Sequence, residues 1–311
     1  MDVGQEGSRR WTRPAVLLVI PWVISVIPNT PLIALPLLAQ LALLPRPRSG
    51  PALLAAMGAA LFAFWGPAGD SVWYLVRGWA VLIGFCFVAV TLFRPVASFT
   101  GRALATLVLS TGIAVGLFRF AGPDWQVVDW QMGNFIGLVG ATAMEAVRLL
   151  VGERTAAPAV LAGVARLIEW QTQLYPGILL VASVCGLGVA WWLYVRVAQG
   201  SDRALGPLRD FRFHHAWVWV VVAGLALTLW GTTDGWVRAG ANALVFMAAL
   251  YTARGAAVIV FLTGGVSVGG VALTLLGMTL LPRLMVGTAL MVGLSDTWLD
   301  IRERARAMFN G

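Results

Sequence analysis

The chain has 311 residues, of which 59% are hydrophobic and 12% charged, well below the roughly 25% charged residues of a soluble domain. Its net charge of +8 comes from 22 basic residues, all of them arginine, and on so apolar a chain such residues set membrane orientation rather than bind nucleic acid. The absence of lysine excludes a Walker A phosphate loop, a Schiff-base lysine and a Ser-Lys dyad, so ATP-driven work would need a separate ATPase.

Apolar runs recur along the whole chain, and a span needs roughly 20 such residues. The pattern is that of an all-α polytopic transmembrane helix bundle, one integral membrane domain over residues 1–311 with about 8–9 membrane segments. Residues 1–13 form a basic N-terminus. The first apolar stretch, 14–44, is broken by Pro21, Pro28, Pro31 and Pro36. Proline removes a backbone donor and forbids helix at the preceding residue. Two half-spans, 14–27 and 31–44, are therefore expected to form a broken hairpin around "IPNTP". Irregular backbone at that depth must be covered by protein or line a cavity.

Further spans are expected at 50–66, 71–93, 102–121, 176–197, 215–231 and 237–263. The last apolar stretch, 268–294, is interrupted at Pro282 and Arg283, as one kinked span or two short ones. Between spans, segment 122–174 has Glu145 and Arg148, then Arg166 and Glu169, at i, i+3. It is expected to form amphipathic helices on the outer surface.

Orientation follows from the arginines. Arg9, Arg10 and Arg13, Arg46 and Arg48, Arg94 and Arg102, and Arg203, Arg209 and Arg212 all fall on one side in a consistent zigzag. That side is the cytoplasm. The tail 297–311, with Arg302, Arg304 and Arg306, joins them if the last stretch turns back at Pro282. Trp65, Trp73, Trp125, Trp170, Trp217, Trp230, Trp236 and Trp298 stand near span ends, where amphipathic rings prefer to lie.

Three motifs carry less than they promise. Cys86 and Cys185 lie in apolar runs, without disulfide or metal spacing. Gly265-Val-Ser-Val-Gly269 formally matches a nucleophile elbow, but that motif needs a strand–turn–helix and a histidine base; here it joins two apolar runs and reads as a hinge or a close helix contact. His214 and His215 have no ligand spacing. No catalytic residue, metal set or cofactor is read from the sequence.

Four arginines resist the topology. Arg77, Arg119, Arg238 and Arg283 fall toward the outer face, against the positive-inside bias. An intramembrane charge is costly and functional by default. The bland alternative is snorkelling to outer headgroups beside Asp70, Asp124 or Asp234. These four, with Trp73 on the face of Arg77, are the candidate ligand-binding residues. A guanidinium suits a carboxylate or phosphate through two parallel hydrogen bonds. At the C-terminus "SDTWLDIRERAR" reads as one helix, with Asp300 and Arg304 an i, i+4 pair. Asp296, Asp300 and Arg302 are candidates for docking a partner.

The ending "GLSDTWLDIRERAR" resembles that of the YybS-like family of bacterial membrane proteins, a family defined as a domain of unknown function. "LYPGILLVASVCGLGVAWWLYVRV", "LRDFRFHHAWVWV" and "NALVFMAALYTARGAAVIVFLTGG" resemble the same family in order and spacing, though a proline usually stands where His214 or His215 does here. The N-terminal half, "IALPLLAQLALLPRPRSGPALLAAMGAA", is more weakly similar to the substrate-binding membrane subunits of energy-coupling-factor transporters. The first resemblance implies a multi-pass protein of the bacterial cytoplasmic (inner) membrane. The second implies a non-enzymatic small-molecule transport component, held in the lipid bilayer with a separate ATPase or other membrane partner. The alternative is a non-catalytic scaffold in envelope or cell-division assembly.

The orientation has a direct check. A single-cysteine labelling scan should find Ala307 on the cytoplasmic side and Ala156 outside; the reverse at either position overturns it.

Overall fold

A computed structural model describes residues 16–21, 23–24, 30–44, 54, 57–58, 71–95, 97–120, 125–151, 158–201, 204–265 and 267–310. Every regular element among them is a helix. In chain order these are α1 (Pro31–Ala39, continued by a tighter turn over Gln40–Leu43), α2 (Ser71–Phe93), α3 (Phe99–Phe120), α4 (Trp125–Val151) and α5 (Pro158–Tyr194). After α5 come α6 (Val218–Trp230), α7 (Asp234–Leu262), α8 (Val268–Leu280), α9 (Pro282–Leu299) and α10 (Ile301–Asn310). They gather into two compact units, Met1–Tyr175 with Ala182–Ala204, and Pro176–Val181 with Leu205–Gly311.

Among the described residues four helices are long and apolar enough to cross a bilayer, in α2, α3, α5 and α7, or five if the bent pair α8–α9 is one span. This is fewer than the expected eight or nine. Length is one reason. Pro31–Leu43 and His215–Trp230 are apolar but short, and a 13-residue α-helix reaches only about 20 Å against a hydrocarbon core of roughly 30 Å. Part of 14–27 and most of 50–66 lie outside the described residues. A second difference concerns 158–175, expected as a surface helix separate from the next span. Here α5 runs unbroken through Pro176 for 37 residues, about 55 Å at 1.5 Å per residue.

In the first unit, α1 begins after Thr30, whose backbone is not helical, and Pro31 takes the first turn, where its missing N–H costs no hydrogen bond. The expected break before residue 31 is therefore present, although 25–29 lie outside the described residues. Apolar all round, α1 has no face suited to water, and seven of its nine residues are buried. Close approach is needed at Gly186 of α5, where a Cβ would collide with the Leu32 carbonyl. Helices α2 and α3 form a hairpin whose second arm is capped by Ser98 Oγ, which accepts from Gly101 N at 3.2 Å, as favoured N-cap residues do.

In the second unit, α7 is the hub, packed on α6 and α9. Backbones meet at two glycines: a Cβ on Gly255 would collide with the Ala289 carbonyl, and one on Gly293 with the Tyr251 carbonyl. The pairings 251 with 293 and 255 with 289 make α7 and α9 antiparallel. Lipid tails are as apolar as leucine, so such small-residue contacts hold membrane helices together. The glycine stretch before α8 is a hinge, with Gly264 at φ 76° and Gly265 at φ 129°, and Ser267 Oγ caps α8 by accepting from Gly270 N at 3.0 Å. Helices α8 and α9 bend by 118° at Leu281, so the last apolar stretch is two helices.

Gly293→Val should disrupt the α7–α9 contact and lower the detergent-solubilised thermal midpoint by several degrees. Gly287→Ala, with open space around its Cβ, should not. Equal midpoints for Gly293→Val and the parent would refute this packing.

Candidate functional site

Helix α3 turns its polar side inward. Arg102, Thr106 and Ser110 stand at i, i+4 and i+8, which a 3.6-residue period places on one face. All three are buried, as are Ala103 and Leu107 between them, whereas Val108, Leu109, Ile113, Val115 and Leu117 are exposed. A soluble helix has the opposite arrangement. Thr106 Oγ1 donates to the Arg102 carbonyl at 2.8 Å. Among the described residues Ser110 Oγ has no hydrogen-bond partner.

Arg102 is the centre of this face. Its guanidinium lies 4.4 Å from the ring centroid of Trp191 and 6.0 Å from that of Phe87, within cation–π reach. The platform is fixed: Trp191 Nε1 donates to the Ala204 carbonyl at 2.9 Å, and its ring stacks on Tyr194 and meets Phe87 edge-on. Among the described residues no carboxylate pairs with Arg102, and its Nε has no acceptor.

A second buried polar group enters from α1. Gln40 is fully buried, and neither atom of its amide has a hydrogen-bond partner among the described residues. Its neighbour Ala39 packs at Gly84 of α2, and Arg102 packs at Phe87, three residues further along the same helix. The elements that carry Gln40 and Arg102 thus both pack on α2. Nearby contacts follow the same rule: Trp79 Nε1 of α2 donates to Ser183 Oγ of α5 at 2.9 Å, with Ser183 fully buried.

The second unit holds a different feature, a buried charge cluster. Arg254 Nε and Arg302 Nη2 both donate to Asp296 Oδ2 at 2.9 Å, and all three side chains are at most 2% exposed. Arg254 Nη2 also donates to the Asp296 carbonyl at 3.1 Å. Arg302 Nη1 donates to the carbonyls of Arg209 and Phe211 at 3.1 and 3.0 Å. Two cations on one anion leave one positive charge in excess. Carbonyl dipoles of the 209–211 loop and the Phe213 ring, 5.4 Å from Arg254, absorb it. Unlike Arg102, these arginines have a counter-charge among the described residues.

The antiparallel register creates the pair. Side chains on a helix lean toward its N-terminus, so Arg254 reaches back to the level of Gly293 and Asp296. Arg302 arrives by a break in the chain. Asp300 takes φ 42° and ψ 50°, a left-handed conformation that aspartate tolerates better than most residues. Residues six apart on a straight helix would face different ways; the turn at Asp300 folds α10 so that Arg302 meets Asp296. The expected single helix over the C-terminal stretch is thus two, and Asp300 is the joint between them. Two surface ion pairs add to the junction, Arg212 with Glu303 at 3.0 Å and Arg306 with Asp210 at 3.5 Å.

Of the docking candidates, Asp296 and Arg302 point inward, into this cluster, and offer no surface; Asp300 is half-buried. Of the ligand-binding candidates, Arg77 is half-buried with its guanidinium 3.6 Å from the Trp73 ring centroid. Arg238 is also half-buried, and its carbonyl accepts from Asn242 Nδ2 at 2.8 Å. Arg119 and Arg283 are exposed. His214 Nδ1 accepts from Ala216 N at 3.1 Å, a local cap at the start of the next helical turn. The sequence reading passed over Arg254 and Arg102. Arg254 stands deeper in its apolar run than any of the four, and an intramembrane charge calls for a partner; Asp296 is the acid near the end of the following run.

No family model matches the chain, and no curated protein or solved structure shows significant similarity to it.

Asp296→Ala should lower the thermal midpoint sharply, because removing one partner of a buried ion pair costs about 3–5 kcal/mol. Arg304→Ala, at an exposed position, should leave it unchanged. Equal midpoints for the two variants would show that the cluster does not hold α10.

Proposed function

We propose that the chain is the membrane-embedded component of a small-molecule transport system of the bacterial cytoplasmic membrane. The observation that carries this reading is the inward polar stripe of α3, Arg102–Thr106–Ser110, together with the buried Gln40 that follows the half-helix α1 in the same unit. Apolar side chains would fill a bundle interior at no desolvation cost. Polar ones there need partners, and among the described residues several of these atoms have none. A path for a polar solute supplies a reason for them. A short helix buried inside a bundle is also the form that discontinuous membrane helices take around transport sites. Because the chain has no lysine, an ATP-driven version of this work would draw on an ATPase from another chain.

A scaffold role in envelope or cell-division assembly is the second reading. It draws on the charge cluster, which ties α10 and the 209–211 loop into one rigid end, a form suited to holding a fixed surface.

Cysteine accessibility separates the two. In a background with Cys86 and Cys185 replaced by alanine, Ser110→Cys should react with a small membrane-impermeant thiol reagent from one side of sealed vesicles, and Val108→Cys should not. A filled, scaffold-like interior would leave both unreactive, and that result would overturn the transport reading.

A further inference from the structure

We propose that Arg102 is an anion-holding residue, the point where a carboxylate or phosphate group binds in the first unit. This deepens the transport reading and rests on it. Three independent features converge. The residue is 8% exposed, so its charge is largely removed from water. Among the described residues it has no acid to pair with and no acceptor for its Nε. Its Cζ lies over the Trp191 ring, 4.4 Å from the ring centroid, and that ring is itself anchored by the bond to the Ala204 carbonyl.

Stacking on a ring satisfies the face of a guanidinium and leaves its edge, which carries all five N–H donors, directed elsewhere. A planar donor edge fixed in a dry setting suits an oxyanion taken by two parallel charge-assisted hydrogen bonds. The comparison inside the same chain is instructive. Arg254 and Arg302 are buried more deeply still, and each donates to Asp296, although Arg254 Nη1 and Arg302 Nε have no partner among the described residues. Burying a guanidinium without a counter-ion costs several kcal/mol, and among the described residues that counter-ion is present in the second unit, whereas Arg102 meets a ring. Ser110, on the same face of α3, adds a neutral hydrogen-bonding group for the rest of a solute. Arg102 also stands three residues after the start of α3 at Phe99, near a helix N-terminus, where the peptide dipoles favour negative charge. An oxyanion could come from a free solute or from a lipid headgroup; the recognising chemistry is the same.

The test uses the full-length protein in neutral detergent. Its thermal midpoint is followed against sodium succinate and sodium phosphate, each at ionic strength matched with sodium chloride, and against phosphatidylglycerol with phosphatidylcholine as reference. We expect a saturable rise with at least one oxyanion probe. Arg102→Lys, which keeps the charge but loses the planar fork, should weaken the apparent affinity at least tenfold, and Arg102→Gln should abolish the effect. If Arg102→Gln does not fold, Arg102→Lys carries the comparison. A rise with succinate or phosphate assigns the site to a free solute. A rise with phosphatidylglycerol alone assigns it to a headgroup and keeps the anion site. No saturable rise with any probe, or an unchanged rise in the Arg102 variants, overturns the proposal. Labelling at Ser110→Cys without an oxyanion effect would remove the anion site and keep the solute path; an oxyanion effect without labelling would do the reverse.

Discussion

In a bilayer the surroundings are as apolar as the protein core, so hydrophobicity no longer tells a helix which side faces inward. What remains are polar groups, which lipid cannot satisfy, and points where two backbones can touch. Both units are organised by these two constraints. In the first, Arg102, Thr106 and Ser110 fix the rotation of α3, and the gap at Gly186 admits the Leu32 backbone. In the second, Gly255 and Gly293 bring α7 and α9 into contact, and that contact places Arg254 within reach of Asp296.

The two arginine environments show how one residue type acquires different roles. In the Asp296 cluster, carboxylate, guanidinium groups and loop carbonyls are joined by hydrogen bonds of 2.9 to 3.1 Å, while Asp296 Oδ1, Arg254 Nη1 and Arg302 Nε have no partner among the described residues. Such a cluster contributes geometric definition more than net stability, because desolvating three charges offsets much of the attraction. Its effect is to fasten the chain's last helix to the loop before α6, with the left-handed turn at Asp300 as the device that closes it. Arg102, by contrast, is positioned by rings and left with donor capacity.

Much of the architecture was legible in the sequence. The runs 71–93, 102–121 and 237–263 correspond to α2, α3 and α7 within a few residues, because long apolar segments bounded by polar turns have few other readings. Pro31 and Pro282 marked real helix starts, since proline belongs in a first turn. Two kinds of feature were not legible. Pro176 suggested a boundary, yet helix α5 carries it in its interior, which membrane helices tolerate where neighbours satisfy the freed carbonyl. The expected span at 215–231 is instead a short apolar helix, His215–Trp230, because an apolar segment looks like a span until its helical length is known. For the site, Arg77 beside Trp73 was readable from i, i+4 spacing. Arg102 was not, because a basic residue flanking a short loop fits the positive-inside rule; only the tertiary structure shows it turned inward onto Trp191.

The account rests most heavily on the rotation of α3. Nitroxide labels placed singly from residue 102 to 117 in lipid nanodiscs, with their accessibility to dissolved oxygen measured by electron paramagnetic resonance, report that rotation directly. Oxygen concentrates in the hydrocarbon, so accessibility should be high at 108, 113 and 115 and low at 106 and 110, with a helical period between. Accessibility at 106 and 110 equal to or above that at 108 and 115 would mean that the polar stripe faces lipid, and the inward path would have no structural basis.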